Sequence, residues 1–204
     1  PISNDYTDGI ALQSIKLVFE WLEKSVKTAD SEAREKMHNA STMAGMAFAN
    51  AFLGMSHSMA HKIGAVHHTV HGRTNAILLP YVIRYNGTRP SKTTTWPKYN
   101  YWKADEKFQD IARMLGLPHS TPEEAVEAYA KAVYELGVAV GIKMNFKDQG
   151  IDEKAWKDSL HEIALLAYED QCSPANPRLP MVADMEEIMA DAYYGYAERP
   201  GRRK

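Results

Sequence analysis

IALQSIKLVFEWL, residues 10–22, sets the period against which the rest of the chain is read. Ile10, Ile15, Val18, Phe19 and Leu22 fall on one side of a helical repeat, so the segment predicts an amphipathic helix. Thr7 or Asp8 stands where its N-cap belongs. The same period runs outward through most of the sequence. A second helix is expected from Asp30 or Ser31 to about Leu53. Its latter half, Ser41 to Leu53, is rich in Ala, Met, Ser and Gly and apolar on nearly every side, which predicts burial in the middle of a bundle. A histidine-rich stretch follows at 55–72, then a short apolar helix near 73–86 that stops at Asn86-Gly87.

Segment 88–102 (TRPSKTTTWPKYNYW) has two prolines, a threonine run and no clean period, and reads as a long surface loop. Helical patterning returns at 103–116 and ends at Gly116-Leu117-Pro118. Thr121, Pro122 and Glu124 then supply a cap, a first-position proline and a capping box for a helix running to about Gly141. Gly150 and Asp152 open another, through Trp156, Leu160, Ile163 and Ala167. Segment 171–182 (QCSPANPRLPMV) is a second irregular loop, and a last helix spans about 183–194. No run alternates with period two and β-branched enrichment, so the chain is expected to be all-α, an irregular multi-helix bundle.

Composition narrows the function. The 204 residues are 45% apolar, enough for one sizeable core. A formal net charge of −2 with 25% charged residues provides no field for a nucleic-acid partner. The longest apolar run, Ile77 to Ile83, is far short of a membrane span. The single cysteine, Cys172, allows no internal disulfide framework and fits a reducing, cytoplasmic compartment. The chain begins at Pro1 with no signal pattern and is read as a piece of something longer.

The strongest chemical signal is histidine. Five of the eight, His57, His61, His67, His68 and His71, fall within fifteen positions. His57 and His61 are four apart and share one helix face, which suits two imidazoles meeting one ion or one substrate. His71, just before Gly72, stands in a turn that can return it to the same face. A metal normally needs a third or fourth ligand, often a carboxylate. Between Asp30 and Arg84 the acids are Asp30, Glu32 and Glu35, all at a helix start, so the missing carboxylate lies elsewhere in the chain or outside it. A metal-dependent hydrolase needs a general base beside the cluster, and none stands near it in sequence.

The run Gly45-Met46-Ala47-Phe48-Ala49-Asn50, followed by Gly54-Met55-Ser56-His57-Ser58-Met59-Ala60-His61-Lys62-Ile63-Gly64 and His71-Gly72, resembles the signature of the iron-dependent (group III) alcohol dehydrogenases. The similarity continues through Asn75 to Pro80 and Asp170 to Arg178 and covers almost the whole chain. Within the family it points to the C-terminal part of the bifunctional acetaldehyde/alcohol dehydrogenases of fermenting bacteria. The resemblance implies that residues 1–195 are the helical metal-side domain, with 196–204 a basic tail. It implies that a glycine-rich α/β NAD-binding domain belongs upstream. Of the family's one Asp and three His metal ligands, it carries over two, His57 and His71. The other two belong to an Asp-x-x-x-His motif that these residues do not contain. The counterpart of His61 lies beside nicotinamide and substrate, where it serves proton transfer. Phe48 matches an aromatic lining the cofactor and substrate pocket, and Cys172 falls in a segment that approaches the cleft. Where the family usually has Pro before the second metal His, this chain has Val70.

The resemblance therefore implies reversible, NAD-dependent reduction of acetaldehyde to ethanol in fermentation, with Fe²⁺ or alternatively Zn²⁺ as the metal. It also implies self-association into a homo-oligomer or filament. A second reading takes this chain alone as a helical self-association module without turnover. The Met37, Met43, Met46, Met55 and Met59 cluster reads as core packing. The aromatic loop with Trp96, Tyr99, Tyr101 and Trp102 reads equally as a partner surface or as a loop folded on its own domain, and Asn176-Pro177-Arg178 as a cofactor contact or a structural loop.

Overall fold

A computed structural model describes residues 2–90 and 102–195. Among these residues it contains eight α-helices and no strand: α1 (Asp5–Thr28), α2 (Ser31–Ala51), α3 (Met55–His67), α4 (His71–Gly87), α5 (Ala104–Met114), α6 (Pro122–Ala139), α7 (Glu153–Tyr168) and α8 (Val182–Tyr194). A single 3₁₀ turn at Ser173–Ala175 interrupts the loop before α8. Trp96, Tyr99, Tyr101 and the basic tail lie outside the described residues.

The helix starts follow local chemistry. Asp152 caps α7 by accepting from the Ala155 N–H at 2.9 Å, and Thr121 caps α6 by accepting from the Glu124 N–H at 3.2 Å. The Glu124 carboxylate reaches back to the Ser120 N–H at 2.7 Å, closing its box one residue early. At α1 the expected cap is displaced. Asn4, not Thr7 or Asp8, is the N-cap, and Thr7 is its reciprocal partner, with bonds of 3.1 and 2.9 Å.

Two clusters make the core. In the larger one, Met55, Met59 and Ile63 of α3 meet Ile77 and Leu78 of α4, Ile163 and Ala167 of α7, and Met185 and Met189 of α8. Trp156 lies at its centre, stacked on Phe146 at 4.9 Å and Tyr193 at 5.2 Å. The smaller cluster joins Ile83 of α4 to Val126, Tyr129 and Ala130 of α6, with Phe19 of α1 and Phe108 of α5 against it. Helix α4 thus serves both.

The expected central burial of α2 does not occur. Its buried residues are Ala33, Ala40 and Ala47, one every seven positions. This small-residue stripe lets α1 approach closely, and the Ser14 hydroxyl donates to the Ala40 carbonyl at 2.8 Å. Helix α1 is the main neighbour of α2. The remaining faces stay open, with Met46 47%, Phe48 45% and Phe52 62% exposed. Apolar composition specifies a wish for cover, not which neighbour provides it. The methionines divide accordingly: Met55 and Met59 are core, whereas Met46 is at the surface.

Helices α4 and α6 cross at Gly87, where a Cβ would stand 2.4 Å from Val126 Cγ2. Both positions are buried, so neither backbone nor a β-branched side chain can yield cheaply. Gly87→Ala is expected to lower the unfolding free energy by about 1–3 kcal/mol through overpacking. Urea denaturation with an unchanged midpoint would refute this close approach.

Candidate metal and proton-transfer site

Helix α3 ends in the left-handed conformation at His68 (φ 54°), and three residues later α4 begins at His71. The chain doubles back there, and the Ser56 hydroxyl of α3 donates to Asn75 Oδ1 of α4 at 2.9 Å. Val70, where proline is usual in the resembling sequences, is the α4 N-cap with φ −70°, a value proline itself would adopt. The valine therefore leaves the turn in place.

This reversal sorts the five clustered histidines. Three converge: the His57 and His71 rings are 5.3 Å apart, His61 and His71 are stacked at 5.2 Å, and His57 and His61 are 6.2 Å apart. Helical spacing pairs His57 with His61; the turn brings His71 to both. His67 and His68 leave the group. The His67 ring bonds Ser159 at 3.0 Å and stacks on Trp156. Both residues line a separate cavity of about 310 Å³ at the far end of α3, together with Arg73 and Asp152. None of the three convergent histidines lines it. Phe48, from the open face of α2, sets its ring 6.5 Å from His57.

His57 is half-buried, and its pKa is pushed down to about 4. Desolvation is the main cause, followed by repulsion from His71 and His61. At neutral pH it is an uncharged imidazole, the form that ligates a metal. His57 and His71 thus fit an imidazole-seeking ion such as Fe²⁺ or Zn²⁺ as two ligands of a larger set.

A carboxylate absent from the local sequence arrives from the loop after α7. Asp170 Oδ2 lies 3.2 Å from His61 Nδ1 and 3.0 Å from Lys62 Nζ. Its Oδ1 accepts from the Cys172 N–H at 3.0 Å. Burial opposes its ionisation, but the bonds from Cys172, Lys62 and His61 outweigh it and hold the carboxyl down to about 2. Donor atoms of His61, Asp170 and Cys172 lie within 4.8 Å of one another, as a metal group would. Two features make this a hydrogen-bonded cluster instead. Lys62 already neutralises the carboxylate, and burial with the Asp170 contact pushes the Cys172 thiol up, away from thiolate.

The same loop is fastened along one face of α3. The Ser173 hydroxyl donates to the Ala167 carbonyl at 2.6 Å and shares a hydrogen bond with the Ser58 hydroxyl at 3.0 Å. Asn176 Oδ1 accepts from the Met55 N–H at 3.2 Å, an otherwise open donor of the first turn of α3. Its Nδ2 donates to Asn86 Oδ1 at 2.7 Å and to the Arg178 carbonyl at 2.6 Å. A Cβ on Gly54 would stand 2.7 Å from Asn176 Oδ1, so the contact requires glycine. Arg178 lies over the Tyr85 ring at 4.0 Å and donates to the Tyr85 carbonyl at 3.0 Å. Asn176 and Arg178 are therefore structural within this chain. Of this network, sequence reasoning missed Asp170 and Lys62, whose one available signal was their place in the runs 170–178 and 54–64 that carry the resemblance, whereas Asn176 takes the structural of the two roles its segment offered.

The sequence profile of the Fe-containing alcohol dehydrogenase family, C-terminal, matches residues 1–193. The aldehyde-alcohol dehydrogenase of Streptococcus pneumoniae serotype 2 is 79% identical over 203 residues, covering 100% of this chain and 23% of that protein. The NADPH-dependent butanol dehydrogenase of Clostridium saccharobutylicum is 41% identical over 194 residues, covering 95% of this chain and 46% of that protein. Among solved structures, a 1,3-propanediol oxidoreductase superposes with a TM-score of 0.81 at 33% identity, over 94% of this chain and 46% of its own. The chain thus spans less than half the length of each of these relatives.

Two outcomes test the geometry. Asn176→Ala leaves the buried Met55 N–H and Asn86 without their partner and is expected to cost about 1–3 kcal/mol. An unaltered melting temperature would show that Asn176 does not hold the α3 start. His57 binds its proton less readily folded (about 4) than unfolded (6.5). Its contribution to stability is complete above pH 6.5 and is lost as pH falls toward 4. His57→Gln is expected to flatten the stability profile in that window; parallel profiles for the two proteins would contradict the desolvated neutral imidazole.

Proposed function

The chain belongs to the Fe-containing alcohol dehydrogenase family, through its C-terminal part, and from that membership we propose that it forms the helical, metal-side half of a site that interconverts acetaldehyde and ethanol. The observation that carries this reading is the meeting of His57, His61 and His71 at the α3–α4 reversal. In this reading His57 and His71 hold Fe²⁺, with Zn²⁺ as the alternative occupant. Similarity to an aldehyde-alcohol dehydrogenase supports a short aldehyde substrate. Similarity to a relative named for NADPH supports a nicotinamide dinucleotide, here NAD. When bound, the metal supplies a Lewis acid for the substrate oxygen, and the nicotinamide carries the hydride.

The chain's own residues do the rest. His57 presents a lone pair without a charge to displace, because desolvation has already removed its proton. His71 meets it from the start of the next helix, so two rigid elements fix the pair. His61 stands beside both, anchored at Nδ1 by Asp170, and passes a proton to or from the substrate oxygen. Phe48 sets its ring beside His57, on the side where the resemblance places an aromatic of the cofactor and substrate pocket. Cytoplasmic location and self-association belong to the same proposal, on composition and resemblance.

The test uses a chain extended upstream to the length of its relatives, assayed for bound metal and for acetaldehyde-dependent NADH oxidation. His57→Ala and His71→Ala are expected to lose both metal and turnover. His61→Ala is expected to keep its metal while kcat falls about 100-fold or more. Full metal content in His57→Ala would overturn the ligand assignment, and undiminished turnover in His61→Ala would overturn the proton role.

A further inference from the structure

We infer that Asp170 is a positioning residue that locks His61 in the Nδ1–H tautomer and leaves its Nε2 as the nitrogen available for proton exchange, with Lys62 holding Asp170 as a pure acceptor. The inference deepens the proton role given to His61 above and rests on it for its functional meaning.

The argument starts from the donors. A neutral imidazole has one N–H and one lone pair, and which nitrogen carries the proton is set by what the other atoms around it can accept. Apart from His61, the groups facing Asp170 are donors: Nζ of Lys62, and the backbone N–H and the thiol of Cys172. Its side chain is 7% exposed, so these contacts stand in for water. Lys62, at 3.0 Å, favours the carboxylate over the carboxylic acid. An ionised carboxylate can only accept, so the 3.2 Å contact to His61 requires the proton on Nδ1. Nε2 then carries the lone pair, and among the described residues it has no hydrogen-bond partner. Free imidazole side chains prefer the opposite tautomer, with the proton on Nε2, so the carboxylate selects against the intrinsic preference.

Placement reinforces the point. Asp170 does not float on a long loop. It follows the end of α7, and within six residues the loop is fastened to α3 at Ser58 and at Met55. The carboxylate is thus held in register with the helix that carries His61, as a supporting group must be to fix a ring.

The tautomer can be read directly from nitrogen-15 correlations of the histidine side chains in this chain, without metal and well above neutral pH, where imidazole is uncharged. His61→Gln identifies the signal. The expected result is a protonated Nδ1 and an unprotonated Nε2 for His61. In Asp170→Ala the proton is expected to move largely to Nε2, and in Asp170→Asn, whose amide oxygen can still accept, it is expected to stay largely on Nδ1. Lys62→Met, which keeps the carboxylate, is expected to retain the Nδ1–H form at the same pH. An Nε2–H form in the unaltered chain, or a tautomer indifferent to Asp170→Ala, overturns the inference. If Asp170→Ala does not fold, the unaltered chain and Asp170→Asn still decide it. In the extended enzyme, Asp170→Ala is expected to lower kcat about 10–100-fold with bound metal unchanged, and Asp170→Asn to restore most of that loss. The tautomer alone judges the positioning role, whereas the turnover of His61→Ala judges the proton role, so either can fail without the other.

Discussion

The polar seam between α3 and the loop 170–178 is the constraint on which the rest of the site depends. Helix α3 is almost wholly buried on its core side through Met55, Met59 and Ile63, and its first turn has backbone donors that no side-chain cap satisfies. Asn176, Ser173 and Asp170 meet it at Met55, Ser58 and His61–Lys62, successive turns of one face. Burying such groups unpaired costs on the order of 1–3 kcal/mol each. The loop therefore has little freedom to sit elsewhere. A segment with two prolines and no secondary-structure ladder is in this way fastened to the helix beside it.

That fixation sets the electrostatics. Three imidazoles at 5–6 Å from one another would repel if protonated, and His57, the most shielded, resolves the conflict by staying neutral. His61 instead has a carboxylate at its Nδ1. Two residues four apart on one helix face thus have different chemistry because their neighbours come from different parts of the chain. His57 has His71 and Phe48, and His61 has Asp170. In the function we propose, this difference lets one imidazole ligate and the next move a proton.

Helix α4 couples the site to the fold. It begins at His71, lends Asn75 to α3, buries Ile77 and Leu78 in the main core, and ends at Gly87 against Val126 of α6. Arg84 forms a paired contact of 2.7 Å at each of two nitrogens with Glu127. The position of His71 is therefore set by packing along the whole helix, not by its turn alone. The φ of −70° at Val70, one that proline also adopts, agrees with this.

The helices were largely legible from sequence. Their signals are local: Thr121 and Asp152 cap within three residues, and apolar faces repeat every turn. The candidate histidines were legible as residue types for the same reason. The partners of the site were not. Asp170 meets His61 across 109 positions and Asn176 meets Met55 across 121, and no local period encodes such pairings. The apolar half of α2 misled for a related reason, since an apolar surface states a preference for burial but does not name its cover. Sequence by itself determined the all-helical architecture and the imidazoles available, because propensity, caps and periodicity act within a few residues. Tertiary structure alone decided how strongly His57 is desolvated and which carboxylate holds His61, because desolvation and hydrogen bonding depend on what folding brings into contact.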